Sequence, residues 1–238
     1  MNQKQFVEYY RKGFGDKAEL PLAFWYSDKA IAEPIEHKGC YIGAMQAARY
    51  GEILSSKAEN ISCPGGRLWS GFVPQRPNLP HFISVIERYK KDEELAAEFL
   101  NSFPREEQAG KCINFARIDK IDSFDNLEGI IFFATPDILS GLVSWCMFDT
   151  NDANAVSAPF GSGCSSIITQ VLQENRNGGK QTFIGMFDPS ARLSVEENIL
   201  TYSIPIERFK EMCGTMTETF LIMETKDWKK VKERINHE

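Results

Sequence analysis

Three cysteines at glycine-rich turns are the residues of this sequence best suited to chemistry. Cys40 begins a stretch rich in small residues, Cys63 begins Cys63-Pro64-Gly65-Gly66, and Cys164 lies in Gly161-Ser162-Gly163-Cys164-Ser165-Ser166. Two of these positions are predicted helix N-termini, where the helix dipole and free backbone N–H groups favour a thiolate. Thiolates select zinc, copper(I) and iron–sulfur clusters. The leading hypothesis is a site for a metal, zinc or an iron–sulfur cluster, or for a small anionic cofactor, built by the loops of Cys40, Cys63 and Cys164.

The spacing of these cysteines leaves two other hypotheses open. They lie 23 and 101 residues apart, which matches no compact zinc or ferredoxin motif, so only the fold can bring them together. One rival is a thiol-dependent enzyme with Cys164 or Cys63 as the nucleophile. Another is an interaction protein with inert cysteines. The remaining cysteines have apolar neighbours, which is typical of core packing: Cys112, Cys146 and Cys213. Cys146 is also the candidate for a fourth metal ligand.

The Cys164 loop also has the composition of an anion-binding turn. Gly163 and Ser165 flank Cys164 just before a predicted helix, and glycine-permitted N–H groups with nearby hydroxyls can cradle a phosphate. The loop lacks the lysine of the Walker motif and the glycine spacing of the dinucleotide fingerprint. A tight turn between a strand and a helix is the structural alternative.

A second predicted anion contact follows the strand that ends near residue 187. Asp188 and Arg192 lie in Asp188-Pro189-Ser190-Ala191-Arg192, at a strand end where ligands of open α/β sheets bind. Arg192 is predicted to hold a carboxylate or phosphate in bidentate geometry, and Arg67 has the same potential. The alternative is a turn in which Asp188 caps the next residues and Arg192 pairs with a surface acid.

The glycines after Pro64 and the few histidines give further predictions. Proline followed by two glycines is typical of a tight loop, so we expect a positive φ at Gly65 or Gly66. His37, three residues before Cys40, is the candidate base for a thiol enzyme. His81 is predicted to cap the helix that follows it.

Length and charge exclude several classes of protein. The 238 residues are 42% hydrophobic and 25% charged, which is typical of a globular chain that folds without a structural metal. A net charge of −6 gives no overall positive field for nucleic acid or anionic lipid. No apolar run reaches the length of a membrane span, and residues 1–16 are too polar for an export signal, so a cytoplasmic protein is expected.

The elements that must position these residues alternate between strand and helix. The pattern predicts a single mixed α/β (α+β) domain over residues 1–238, with a mixed sheet flanked by helices. A similar order of strand, cysteine-bearing helix and glycine-rich loop in residues 20–75 and 128–175 suggests an internal duplication, or two similar units that arose by chance. Predicted strands are 20–27, 112–118, 129–135, 155–160, 182–187 and 200–204, and predicted helices are 2–13, 40–50, 81–103, 137–146, 167–172, 207–213 and 227–235.

Five short motifs, in order along the chain, resemble a known family. They are Lys38-Gly39-Cys40, Ile61-Ser62-Cys63-Pro64-Gly65-Gly66, Thr135-Pro136-Asp137, Gly163-Cys164-Ser165-Ser166-Ile167 and Phe187-Asp188-Pro189-Ser190-Ala191-Arg192. Together, within about residues 22–209, they resemble the domain-of-unknown-function 169 family. The resemblance supports the fold, and it implies no activity.

Overall fold

The strands of the protein form one mixed sheet. The computed structural model describes residues 1–35, 37–103 and 110–237. The strands are β1 (Leu22–Ser27), β2 (Ile53–Ser56), β3 (Cys112–Arg117), β4 (Gly129–Ala134), β5 (Val156–Ser157), β6 (Thr182–Gly185) and β7 (Leu200–Pro205). Their order across the sheet is β2-β3-β1-β4-β7-β6-β5. Every neighbouring pair is antiparallel except β5 and β6, which run parallel.

Helices cover both faces of this sheet, which confirms the predicted mixed α/β class. The helices are α1 (Gln3–Phe14), α2 (Tyr41–Arg49), α3 (Pro64–Trp69), α4 (Leu79–His81), α5 (Glu93–Asn101), α6 (Pro136–Cys146), α7 (Gln170–Asn177), α8 (Pro189–Arg192), α9 (Ile206–Thr215), α10 (Phe220–Met223) and α11 (Lys226–His237). Across the described ranges, no helix is both long enough and apolar enough to span a membrane.

The central strand β4 shows how the sheet separates two cores. Ile130 and Phe132 belong to one apolar cluster, and Ile131 and Phe133 belong to the other, as the alternation of side chains along a strand requires. Helices α1, α6, α9 and α11 cover the first face, while α2 and α7 cover the second. Strand β1 is fully buried from Leu22 to Phe24.

The helices that follow β1 and β4 pack on opposite faces of the sheet. Helix α2 after β1 contributes Met45 to the second core, whereas α6 after β4 contributes Trp145 to the first. The two segments compared in the suggested duplication therefore have different surroundings. Their cysteines differ as well, because Cys146 is buried under the first face and Cys40 lies half-exposed beyond the second.

The single helix predicted over residues 81–103 is interrupted. A wide π-helical turn covers Phe82–Ile86, and the backbone then enters the left-handed region at Arg88, with φ of 56°. Helix α5 begins only at Glu93, where the Asp92 side chain accepts from the Leu95 N–H at 2.9 Å. His81 precedes the π-helical turn, but its side chain makes no capping hydrogen bond, and its ring pairs with Glu93 at 2.8 Å. Helix α5 ends at Asn101, two residues before the predicted end at residue 103.

Residues 63–66 are the start of a helix rather than a loop. Pro64 occupies the first position of α3, where its fixed φ is favourable and its missing N–H costs nothing. Gly65 and Gly66 are absent from the positive-φ glycines, so the predicted left-handed turn is wrong. Gly66 is needed for packing instead, because a Cβ there would lie 2.6 Å from the Tyr41 Cβ and 2.9 Å from the Ile61 Cγ2.

Candidate functional site

A mainly apolar cavity of about 370 Å³ lies beyond the second face of the sheet. Its walls come from the first turns of α2, α3 and α8, from the turn before α7, and from the segment 79–100. Aromatic and aliphatic side chains make most of the lining, including Ile42, Leu68, Trp69, Leu79, Phe82, Ile83, Phe99 and Phe160. A volume of this order is enough for a small organic ligand.

The structure brings all three predicted cysteines to this one cavity. Cys40 is the N-cap of α2, Cys63 is the N-cap of α3, and Cys164 lies in the helical turn that leads into α7. Gly65, Gly66 and Gly163 also line it. The three cysteines are far apart in sequence, but the fold brings the starts of their helical segments together above the second face of the sheet.

Cys63 has the environment of a thiolate. The hydrogen bond with the Cys40 side chain lowers the pKa of Cys63 to about 5, with further lowering from the backbone N–H groups of Gly66, Tyr41 and Gly65 against an opposing effect of burial. The Gly66 N–H donates to the Cys63 Sγ at 3.3 Å. The same pairing raises the pKa of Cys40, with burial and the nearby Cys164 acting in the same direction. The proton of this pair therefore resides on Cys40.

Cys164 is a buried thiol rather than a thiolate. Its side chain is 4% exposed, and burial raises its pKa, as do the charges of Cys63 and Asp188. Gly163 allows this close packing, because a Cβ there would lie 2.9 Å from the Ala191 Cβ. The nucleophile hypothesis therefore fits Cys63 better than Cys164.

Ser165 and Ser166, which were predicted to help cradle an anion at the Cys164 loop, use their donors within the loop. The N–H groups of Ser165 and Ser166 donate to the carbonyl oxygen of Ser162, at 3.0 and 3.3 Å. The Ser165 hydroxyl donates to the same carbonyl at 2.8 Å. Ser165 is buried, and the described cavity lining does not include it. These donors close a local turn, which is the structural alternative given above.

The guanidinium group of Arg192 forms hydrogen bonds within its own loop. It donates to the backbone carbonyls of Ile199 and Glu197, and to that of Glu196 at 3.3 Å. Neither Arg192 nor Arg67 is part of the described lining. In the described structure Arg192 thus pairs with backbone oxygens, and its predicted contact with an anion stays a prediction.

Asp188 caps α8 and also lines the cavity. Its carboxylate accepts from the Ser190 N–H at 2.9 Å and from the Ser190 hydroxyl at 2.8 Å, as the turn alternative predicts. The Tyr89 hydroxyl donates to the same carboxylate. Asp188 is only 8% exposed, and these hydrogen bonds hold its carboxylate at one wall of the cavity.

Sequence reasoning missed the acidic end of the cavity. Burial raises the pKa of Glu87, and the negative charge of Asp188 raises it further. Within the described ranges, the Glu87 carboxylate has no hydrogen bond or ion pair, although Glu87 lines the cavity together with Tyr89 and Arg76. No motif marks these residues. The backbone breaks at Arg88, between Glu87 and Tyr89, whereas the sequence pattern there predicts an uninterrupted helix.

Two other predicted contributors are placed differently. The His37 ring packs on α2, with its Nε2 3.1 Å from where a Gly43 Cβ would be, and it lies outside the described lining. Among the aromatic side chains, Trp69 lines the cavity, whereas Phe24 is fully buried in the core. Cys112, Cys146 and Cys213 are buried, as predicted for core cysteines.

The three thiols do not form a ready metal centre in this arrangement. Over residues 1–35, 37–103 and 110–237, no group of three His, Cys, Asp or Glu side chains is placed to hold a metal ion. The close contact is between two thiols, Cys40 and Cys63, and it is a hydrogen bond that shares one proton.

Comparison with known proteins identifies a family and no activity. The profile of the DUF169 family, described as uncharacterised ArCR, matches residues 12–215, which confirms the resemblance drawn from the five motifs. No curated protein and no solved structure matches the chain.

Proposed function

We propose that this chain, which belongs to the DUF169 family, binds a small organic molecule with an apolar body in the cavity beside Cys63. The observation that carries the proposal is the cavity itself, which has a volume of about 370 Å³ and a mainly apolar lining with a few polar groups. Ligand sites in proteins commonly combine an apolar wall with a few convergent polar groups. A cytoplasmic location remains part of this proposal.

The charges of the lining favour a neutral or cationic ligand. Glu87, Asp188 and the Cys63 thiolate all line the cavity, while Arg76 is the cation of the described lining. An anion would meet these negative groups in a site of low polarity, where repulsion is strong. A hydroxyl or ammonium group of the ligand would instead supply the donor that Glu87 lacks. The anionic ligand expected from the sequence stays a prediction.

Three naphthyl compounds of similar shape and different charge test this proposal. We expect 1-naphthylmethylamine and 1-naphthalenemethanol to raise the melting temperature of the reduced protein, and 1-naphthoate to raise it less, because of the acidic end of the cavity. Gly65→Phe should abolish the shifts, since a Cβ at Gly65 points between the Cys63 Sγ (3.8 Å) and the Trp69 Cδ1 (3.9 Å), both in the lining.

The control is Gly214→Phe, which adds the same side chain to a helix where a Cβ would have open space. This variant should keep the wild-type shifts. A wild type that no member of the series stabilises would overturn the proposal, and so would equal shifts in Gly65→Phe.

A second candidate function is thiol chemistry on the bound molecule. It is supported by the lowered pKa of Cys63, because the thiolate is the reactive form of cysteine. Cys63 would attack an electrophilic carbon or sulfur of a ligand held in the cavity. Cys63→Ser should then abolish covalent labelling by cavity-sized electrophiles but leave reversible binding of the neutral 1-naphthalenemethanol unchanged.

The zinc or iron–sulfur hypothesis for Cys40, Cys63 and Cys164 stays a prediction. Anaerobic purification followed by analysis for iron, sulfide and zinc tests it. Stoichiometric metal that is lost in Cys63→Ser would favour the hypothesis over the organic ligand. Substoichiometric metal that is equal in both proteins would count against it.

A further inference from the structure

We infer that Cys40 and Cys63 form a reversible dithiol–disulfide pair that is oxidised by low-molecular-weight disulfides. This activity is independent of the ligand binding proposed above, since it needs only the two sulfurs and access to them. Both side chains are half-buried and line the cavity, so a small disulfide can reach them.

The geometry of two helix starts holds the pair together. Cys40 is the N-cap of α2 and Cys63 is the N-cap of α3, and their side chains share a hydrogen bond. The absence of a side chain at Gly66 lets α3 approach the first residue of α2, because a Cβ there would lie 2.6 Å from the Tyr41 Cβ. Closing the S–S bond, about 2.05 Å long, thus joins two cysteines whose side chains are already hydrogen-bonded.

The two sulfurs have unequal roles in the exchange. The Cys63 thiolate attacks one sulfur of a disulfide R–S–S–R, so that a Cys63–S–S–R bond forms and the R–S–S–R bond breaks. The first RS⁻ leaves and takes a proton from water. Cys40 then gives up its proton and attacks the Cys63 sulfur, and the second RS⁻ leaves and is protonated. Two cysteine thiols are oxidised, and one disulfide is reduced to two thiols.

The other cysteines of the chain are poorly placed to compete. Cys164 is nearest, but it is buried and its pKa is raised, so it is a slow nucleophile. Cys213 is 2% exposed and lies in the core on the opposite face of the sheet. Cys164→Ser and Cys213→Ser therefore serve as near and distant controls.

The test is oxidation of the reduced full-length protein by glutathione disulfide, with the remaining thiols trapped by alkylation and the products read by mass spectrometry. We expect one internal disulfide, mapped to the peptides of Cys40 and Cys63, that dithiothreitol reverses. Cys164→Ser and Cys213→Ser should form it at the wild-type rate. Cys40→Ser should stop at a stable glutathione adduct on Cys63, and Cys63→Ser should react at least about tenfold more slowly.

The distribution of products decides the outcome. An internal disulfide that includes Cys164, or a wild type that gains only glutathione adducts, would overturn the inference. Equal adduct formation at Cys40 and Cys63 in the single variants would contradict the unequal roles. None of these results affects naphthyl binding by reduced protein, so the failure of one proposal is distinguishable from the failure of the other.

Discussion

At the scale of single residues, the thiol pair shows what a sequence can and cannot say. Gly-rich surroundings were enough to select Cys40, Cys63 and Cys164 from the cysteines of the chain, and the structure places all three at one cavity. Their protonation could not be predicted, because it depends on a hydrogen bond between residues on different helices and on N–H groups that α3 presents.

The pH dependence of alkylation tests the state of Cys63. Because its pKa is lowered to about 5, the Cys63 thiolate should react with iodoacetamide at a nearly constant rate from about pH 6 to 8, where an ordinary thiol accelerates towards its pKa of about 8.5. Cys40→Ala removes the donor and should move the rise in rate to higher pH. Cys213→Ala is the control. A wild-type rate that climbs tenfold per pH unit from 6 to 8 would contradict the assignment.

Replacement of Arg192 should affect stability rather than anion binding. Its guanidinium donates to carbonyl oxygens of Ile199, Glu197 and Glu196, two of these contacts in exposed positions, so we expect Arg192→Ala to lower the free energy of unfolding by about 1 kcal/mol. Urea denaturation measures this change. Arg192→Ala that keeps wild-type stability and loses stabilisation by phosphate would restore the sequence-based prediction of an anion contact.

At the scale of elements, the local structure of two segments could not be predicted correctly from the sequence. Pro64-Gly65-Gly66 predicts a loop by composition, yet Pro64 begins α3 and Gly66 provides room for α2. The segment 81–103 predicts one helix by its apolar spacing, yet it breaks at Arg88. Both errors arise because tertiary contacts determine the conformation of these segments, and the local sequence pattern carries no information about tertiary contacts.

The two neighbouring glycines give a matched pair of variants. Gly66→Ala places a Cβ 2.6 Å from the Tyr41 Cβ, and we expect it to lower the free energy of unfolding by about 1–3 kcal/mol and to slow closure of the Cys40–Cys63 disulfide. Gly65→Ala makes only contacts of 3.8 Å or more and should be nearly neutral. Thermal unfolding and the glutathione assay measure both variants. Equal effects of the two substitutions would show that α3 is not positioned by Gly66.

At the scale of the whole molecule, alternation of strand and helix was sufficient to predict a mixed sheet with helices on both faces. The five motifs were sufficient to place the chain in its family. The acidic end of the cavity was not predictable, because Glu87 and Asp188 lie far apart in sequence and meet only when the segment 79–100 folds over the helix starts.

This acidic end should set the preference of the cavity for charge. Glu87→Gln keeps the shape of the side chain and removes its charge, so we expect 1-naphthylmethylamine to lose affinity while 1-naphthalenemethanol binds about as before. Glu93→Gln, on the exposed end of α5, is the control. Titration of both compounds against the variants measures the preference. An unchanged ratio of affinities in Glu87→Gln would mean that the amine does not reach this carboxyl group.

The central claim is that the cavity beside Cys63 holds an apolar molecule, and calorimetric titration with 1-naphthalenemethanol tests it most directly. We predict saturable binding of one molecule per chain by the reduced wild type and by Gly214→Phe, and at least about tenfold weaker binding by Gly65→Phe, because its added ring occupies the space between Cys63 and Trp69. Binding of equal strength by Gly65→Phe, or no saturable binding by the wild type, would contradict the claim.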